Sequence, residues 1–249
     1  MKRAMTPSVL LGLAAVCLTG MLMPSPMMAQ EYPGSYAARA SFTFSPGVLF
    51  GNTIYEGTML ARIPYKVEID DGFVYVFRGE YAFTDRIAAE FNIGGSTNDA
   101  QGAMRNFVAT VAGGTSSVES MEWDGNMLLF SVNAIYQYPM DTLVPFVTVG
   151  VGLINSSLEL EQMQSQIGTT RLTLADILSA GYVTRDILDY DETDLDFSFG
   201  GGLKFHVTGN AALRIDVRDH VVFPQDSPFF GDAETLHMLE VSGGISYVW

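Results

Sequence analysis

The sequence predicts an all-β fold: a closed, eight-stranded, antiparallel up-and-down barrel that crosses a membrane. Three observations predict it. Apolar residues alternate with polar ones at a period of two along most of the chain, eight such stretches can be delimited, and the connections between them alternate between short and long. Successive side chains of a strand point to opposite faces, so this period reads as strands with one apolar face.

The stretches run over about 37–50, 73–83, 86–95, 126–138, 144–155, 194–207, 211–223 and 236–249. In the second, Phe73, Tyr75, Phe77, Tyr81 and Phe83 share one face, and Val74, Val76, Arg78, Glu80 and Ala82 share the other. In the sixth, Leu195, Phe197, Phe199, Leu203 and Phe205 oppose Asp196, Ser198, Lys204 and His206. The seventh alternates Leu213, Ile215 and Val217 with Arg214, Asp216 and Arg218, and the eighth sets Leu239, Val241, Ile245, Tyr247 and Trp249 against Glu240, Ser242, Gly244 and Ser246. Most are long enough for the roughly 9–11 residues that a tilted strand needs to cross a bilayer.

Thr84-Asp85, 139–142 and 208–210 are tight turns; Asp85, Arg86 and Thr208 read as turn chemistry. The other connections, 51–72, 96–125, 156–193 and 224–235, are long. Short turns at one end and long loops at the other are the pattern of an outer-membrane barrel, and an even strand number brings both ends of the chain to the short-turn side.

A soluble sandwich or barrel shares the alternation but turns its apolar face inward. The distribution of charge separates the two. Parity places Arg39, Arg78, Lys204, Arg214 and Arg218 on one face with Glu80, Glu90, Asp196, Asp216 and Glu240. Near-equal signs suit a narrow lumen in which charges pair, and glycines at 94, 150, 152, 200, 202 and 244 leave room for them. The aromatic face then meets lipid, where only a closed barrel satisfies every backbone group of an all-β chain. An eight-stranded interior is about filled by such side chains.

The first residues have the layout of a secretory signal peptide: Lys2 and Arg3, an apolar run over 9–23, the breakers Pro24 and Pro26, and Ala29 before Gln30. The expected division is a signal over 1–29 and a barrel domain over 30–249. Cys17, the one cysteine, lies in that signal, and Val16 before it does not fit a lipoprotein acceptor. The exported part then has neither a disulfide framework nor a thiolate metal site. The formal charge is −15, which argues against nucleic acid as a partner.

The long connections carry the remaining candidates. Segments 107–111 and 118–122 around Gly113-Gly114 suggest a hairpin standing above the membrane. Residues 172–180 suggest a short helix, with Thr173 and Asp176 at capping-box spacing and Gly181 at its stop. Asp189, Asp191, Glu192 and Asp194 are the one candidate metal cluster; they lack the spacing and glycine of a calcium loop, so a solvated acidic loop is the expectation. His206, His220 and His237 lie on different strands without zinc-pair spacing. His206 points into the lumen by parity, and Thr208 beside it is a turn residue rather than a nucleophile. No catalytic set and no cofactor is expected.

The final residues, Ser242-Gly243-Gly244-Ile245-Ser246-Tyr247-Val248-Trp249, resemble the β-signal read by the barrel-assembly machinery, with Ser242, Gly244, Tyr247 and Trp249 in its four positions. A second resemblance covers three strands: Pro145-Phe146-Val147-Thr148-Val149-Gly150-Val151-Gly152, Gly200-Gly201-Gly202-Leu203-Lys204 and Asn210-Ala211-Ala212-Leu213-Arg214-Ile215-Asp216-Val217-Arg218-Asp219 are similar to the OmpA-like outer-membrane β-barrel domains, a group with OmpA-, OmpX- and OmpW-type members. The first half of the chain matches in pattern only. The resemblance implies eight strands, mostly no enzymatic site, and roles as anchors, adhesins or narrow pores. Unlike OmpA itself, this chain is expected to carry no peptidoglycan-binding domain after its eighth strand.

The resulting expectation is a non-enzymatic outer-membrane protein serving envelope structure or surface interaction through long acidic external loops. A narrow conduit for small, including hydrophobic, molecules is the second reading. A lipid-modifying enzyme is the third and lacks a nucleophile beside a base. The expected partners are outer-membrane lipid, the assembly machinery during biogenesis, and an extracellular ligand at the loops.

Overall fold

The computed structural model describes residues 40–59, 63–105, 118–167, 170–173, 175–176, 190–224 and 235–249. The expected signal peptide and Arg39 lie outside them. The strands are β1 (Ala40–Phe50), β2 (Thr53–Met59), β3 (Ile63–Ile69), β4 (Gly72–Ala82), β5 (Ile87–Thr97), β6 (Ala100–Arg105), β7 (Val118–Gln137), β8 (Leu143–Ile167), β9 (Thr170–Thr173), β10 (Tyr190–Thr208), β11 (Ala211–Phe223) and β12 (Leu236–Val248).

Eight of these close a ring in the order β1-β4-β5-β7-β8-β10-β11-β12, every neighbour antiparallel. The β1–β12 pairing (Ser41↔Val248 to Phe50↔Leu239) and the β7–β8 pairing (Gln137↔Phe146 upward) leave the ring without an edge. Its outward face is apolar because the sequence alternates in phase on every barrel strand: Phe44, Phe77, Val149, Phe199, Ile215 and Val241 are all exposed. The turns at 83–86, 138–142 and 209–210 are short. Asp141 takes φ 47°, a left-handed conformation that Asp tolerates better than most residues.

The long connections are not the loops the sequence suggests. β7 begins at Val118 and β8 runs on to Ile167, well past the apolar band. The upper part of β7 pairs β6 on one side (Ala100↔Trp123) and β8 on the other (Trp123↔Leu160). β3 pairs β6, β2 pairs β3, and β9 pairs the end of β8. β2, β3, β6 and β9 thus extend the same sheet, so that the run β2-β3-β6-β7-β8-β9 continues the barrel wall on the long-connection side. The expected hairpin arm 107–111 lies outside the described residues, and the strand pairing β7 there is β6 instead. The segment 172–180 opens as strand through Thr173 and is helical only at 175–176 among the described residues. The capping contacts are present: the Thr173 backbone N–H (2.9 Å) and hydroxyl (2.7 Å) donate to Asp176 Oδ2 and hold that carboxyl below its usual value.

The polarity of the two faces inverts where the strands leave the ring. Along β7, Ser131, Asn133 and Gln137 point inward while Phe130, Val132 and Tyr136 point outward; higher up, Met121, Trp123 and Met127 are inward and Glu122, Asp124 and Asn126 outward. The pleat of β7 keeps its phase from Met121 to Gln137, but the medium outside changes from lipid to water. A reading that equates apolar with outward therefore ends the strand too early, which is why β7, β8 and β10 are longer than their periodicity suggests.

Candidate functional site

The ring encloses three layers. At the short-turn end Ala82, Ala88, Ile135 and Phe146 form an apolar floor. At the other end Leu49, Val74, Met127, Leu129, Ile154 and Met238 form an apolar roof. Between them lies a charged layer, the candidate site.

Parity brings each member inward. Arg78 and Glu80 come from β4, Glu90 from β5, Asp196 and Lys204 from β10, Arg214, Asp216 and Arg218 from β11, and Glu240 from β12, all buried. Arg214 is the hub. Its Nε and Nη2 donate to the two oxygens of Asp216 at 2.8 and 2.9 Å, a planar fork on a planar acceptor. Nη2 also pairs with Glu90 Oε2 at 2.6 Å, and Nη1 donates to Glu80 Oε2 at 3.2 Å. Arg218 Nη2 stands 2.8 Å from both Glu90 Oε1 and Asp216 Oδ1. Arg78 pairs with Glu240 and donates to Ser242 Oγ at 3.2 Å. Lys204 pairs with Glu80 and donates to Gln137 Oε1 at 2.9 Å. The floor takes part as well, since Phe146 presents its ring 4.7 Å from the Arg214 guanidinium and 5.2 Å from the Lys204 ammonium.

Two groups that sequence reasoning left out complete the layer. His220 is buried, with Nδ1 3.1 Å from Asp196 Oδ2 and Nε2 3.3 Å from Glu240 Oε2, so it ties β10, β11 and β12 together. Its even-numbered position beside Arg214, Asp216 and Arg218 was the available signal. A neutral chain runs opposite: Ser198 donates to Asn133 Oδ1 at 2.9 Å, and Asn133 and Asn92 each donate to Ser131 Oγ at 3.1 Å. Asn and Ser carry no charge, so they did not stand out among alternating residues. His206 is half-buried at the short-turn mouth.

The glycines make room. A Cβ at Gly150 would stand 1.9 Å from Asn133 Oδ1, and one at Gly244 would stand 2.3 Å from Phe44 O and Ser45 Oγ. Two small voids flank the charges. One of about 40 Å³ opens at the short-turn mouth between Ser41, Glu80, Gln137 and Lys204. The other, of about 10 Å³, lies under the roof between Ser96, Leu129, His220 and Glu240, and is at the lower limit for one water.

The acidic cluster is divided rather than gathered. Asp189 lies outside the described residues; Asp191 is exposed on one face of β10, and Asp194 is buried on the other with Glu192 half-buried below the rim. These residues belong to a strand, not to a solvated loop, and among the described residues no group of three or more His, Cys, Asp or Glu side chains is placed to hold a metal ion. The four β-signal positions also split between faces. Ser242 and Gly244 face the lumen, while Tyr247 and Trp249 are exposed outward with ring centroids 5.9 Å apart.

A family model described as "Outer membrane protein beta-barrel domain" matches residues 14–247. Among solved structures, the outer membrane protein OprG from Pseudomonas aeruginosa aligns at TM-score 0.58 and 9% identity over 88% of this chain and 99% of that one. Neisserial surface protein A aligns at TM-score 0.45 and 12% identity over 84% and 96%. At these identities the likeness is one of fold. No curated protein matches the chain in sequence.

Proposed function

Because the chain belongs to the outer membrane protein beta-barrel domain family, we propose that it is a non-enzymatic barrel with an occluded lumen that carries an interaction surface above the outer membrane. One observation carries this reading: the barrel wall continues upward as a six-stranded sheet, β2-β3-β6-β7-β8-β9, while the lumen beneath it is filled by paired charges between apolar layers. Extending β7 and β8 orders many backbone groups, and that order has no role in crossing the bilayer. A rigid sheet presents side chains to a partner at lower entropic cost than loops. Its outward face is polar and acidic, with Glu122, Asp124, Glu159 and Glu161 exposed beside Asp191 of the adjoining β10, which suits a partner with a basic surface.

Planar-bilayer recording tests the occluded lumen. No discrete conductance above the lipid background is expected; stable single-channel steps would replace the proposal by the conduit reading. That reading draws support from the apolar roof, whose methionines Met127 and Met238 are adaptable side chains that suit an apolar guest. Cross-linking on intact cells, with and without residues 53–69, tests the surface role. Capture of the same neighbours by both forms would remove the β2–β3 part of the sheet from the interface.

A further inference from the structure

We propose that Asp219 and His237 form a binding site for the primary ammonium group of an outer-leaflet lipid. The starting point is a carboxylate on the wrong face. Asp219 points outward from β11, between Val217 and Val221 of its own strand and beside Phe199 of β10 and Leu239 of β12. The other outward side chains of the lipid band on the described barrel strands are apolar or aromatic, with Asp124, Glu159 and Asp191 placed above it. A charge facing lipid is costly at depth and much less so at the interface, so an ionisable side chain kept there marks a site.

The depth fits a headgroup. From Trp249 at the short-turn rim to Leu239, β12 climbs roughly 25 Å, about the height of an outer-membrane apolar band. His237 stands just above Leu239, on the long-connection side that faces the cell exterior. The pair therefore sits where outer-leaflet hydrocarbon gives way to headgroups.

The chemistry selects a donor. His237 Nδ1 is 2.9 Å from Asp219 Oδ2, so Nδ1–H donates to the carboxylate. In the neutral ring this leaves Nε2 with a lone pair, and the second carboxylate oxygen is an acceptor too. The histidine side chain is 54% exposed and that of Asp219 24%, so both reach the surface. Two acceptors and one negative charge match an R–NH₃⁺ group, which offers three N–H donors and a compensating charge. Phe197, Phe199 and Phe223 on the same outward face add rings toward which a cation is attracted. A phosphate would meet two acceptors on a chain of formal charge −15. Choline's quaternary nitrogen has the charge but no N–H.

The same ammonium chemistry is available from an ethanolamine phospholipid or from an amine-substituted lipid A. The full-length mature protein is reconstituted in nanodiscs with equal phosphatidylethanolamine and phosphatidylcholine, and separately with equal amine-substituted and unsubstituted lipid A. Lipids retained on the protein are then counted by native mass spectrometry. At least one amine-bearing lipid should be enriched about fivefold over its counterpart, the factor that roughly 1 kcal/mol of charge-assisted hydrogen bonding supplies. Enrichment in the first disc alone identifies a phospholipid, and in the second alone a glycolipid. D219N and H237A should each abolish it while retaining the heat-modifiable gel shift of a folded barrel. Equal retention in both discs, or enrichment that survives either substitution, overturns the site.

Discussion

Arg214 shows how far the place of one side chain can be read from alternation alone. Parity along β11 places it inward, and it is buried against Asp216, Glu90 and Glu80. Arg214→Ala leaves those carboxylates short of their shared cation, so a loss of about 3–5 kcal/mol is expected in reversible unfolding from lipid vesicles. Arg214→Lys should recover only part of it, because an ammonium cannot reproduce the fork on Asp216. A loss under about 1 kcal/mol for the alanine variant would mean that this face meets water. His220 was legible by the same parity. It went unread because its two carboxylate partners come from other strands. Partner identity depends on register across the ring, which no single stretch of sequence displays.

Individual strands were legible where lipid lies outside and illegible where water does. Over β11 and β12 the expected and observed limits agree within a residue, because both strands end near the membrane boundary. β7 and β8 cross that boundary, and the inversion of polarity hides their upper halves. Two substitutions probe the strands. Gly150→Ala forces a methyl group against Asn133, whose Oδ1 accepts from Ser198. Overpacking of about 1–3 kcal/mol is expected from denaturant midpoints, and a neutral result would show that the Asn133–Ser198 bond is dispensable. Higher up, Asp124 and Glu159 stand directly opposite across β7 and β8, both exposed. Asp124→Lys should turn a repulsion into an attraction, a gain of about 0.2–1 kcal/mol that fades with salt. No gain at low ionic strength would argue that the two strands do not pair above the membrane.

At the scale of the molecule, β1 and β12 form the seam that makes a sheet into a ring. Ala40 and Trp249 exchange backbone hydrogen bonds at its foot, 3.0 and 3.3 Å long, and Thr43 and Ser246 join hydroxyls at 2.7 Å. Trp249→Ser should slow insertion by purified assembly machinery more than it weakens the finished barrel, since an exposed ring adds little packing. Insertion at the normal rate would exclude Trp249 from the recognised signal. The seam also sets a schedule. Seven of the eight walls can assemble between strands close in sequence, but the Thr43–Ser246 bond joins residues 203 apart. Until it forms, the nascent sheet carries two raw edges, each ready to pair with any other strand it meets. Closing so long a loop is slow, so the dangerous interval comes late, when nearly all the wall is built. Opening runs the same path backwards. Once closed, the ring offers no end from which to unravel, and its lifetime is governed by rupture of the whole seam at once.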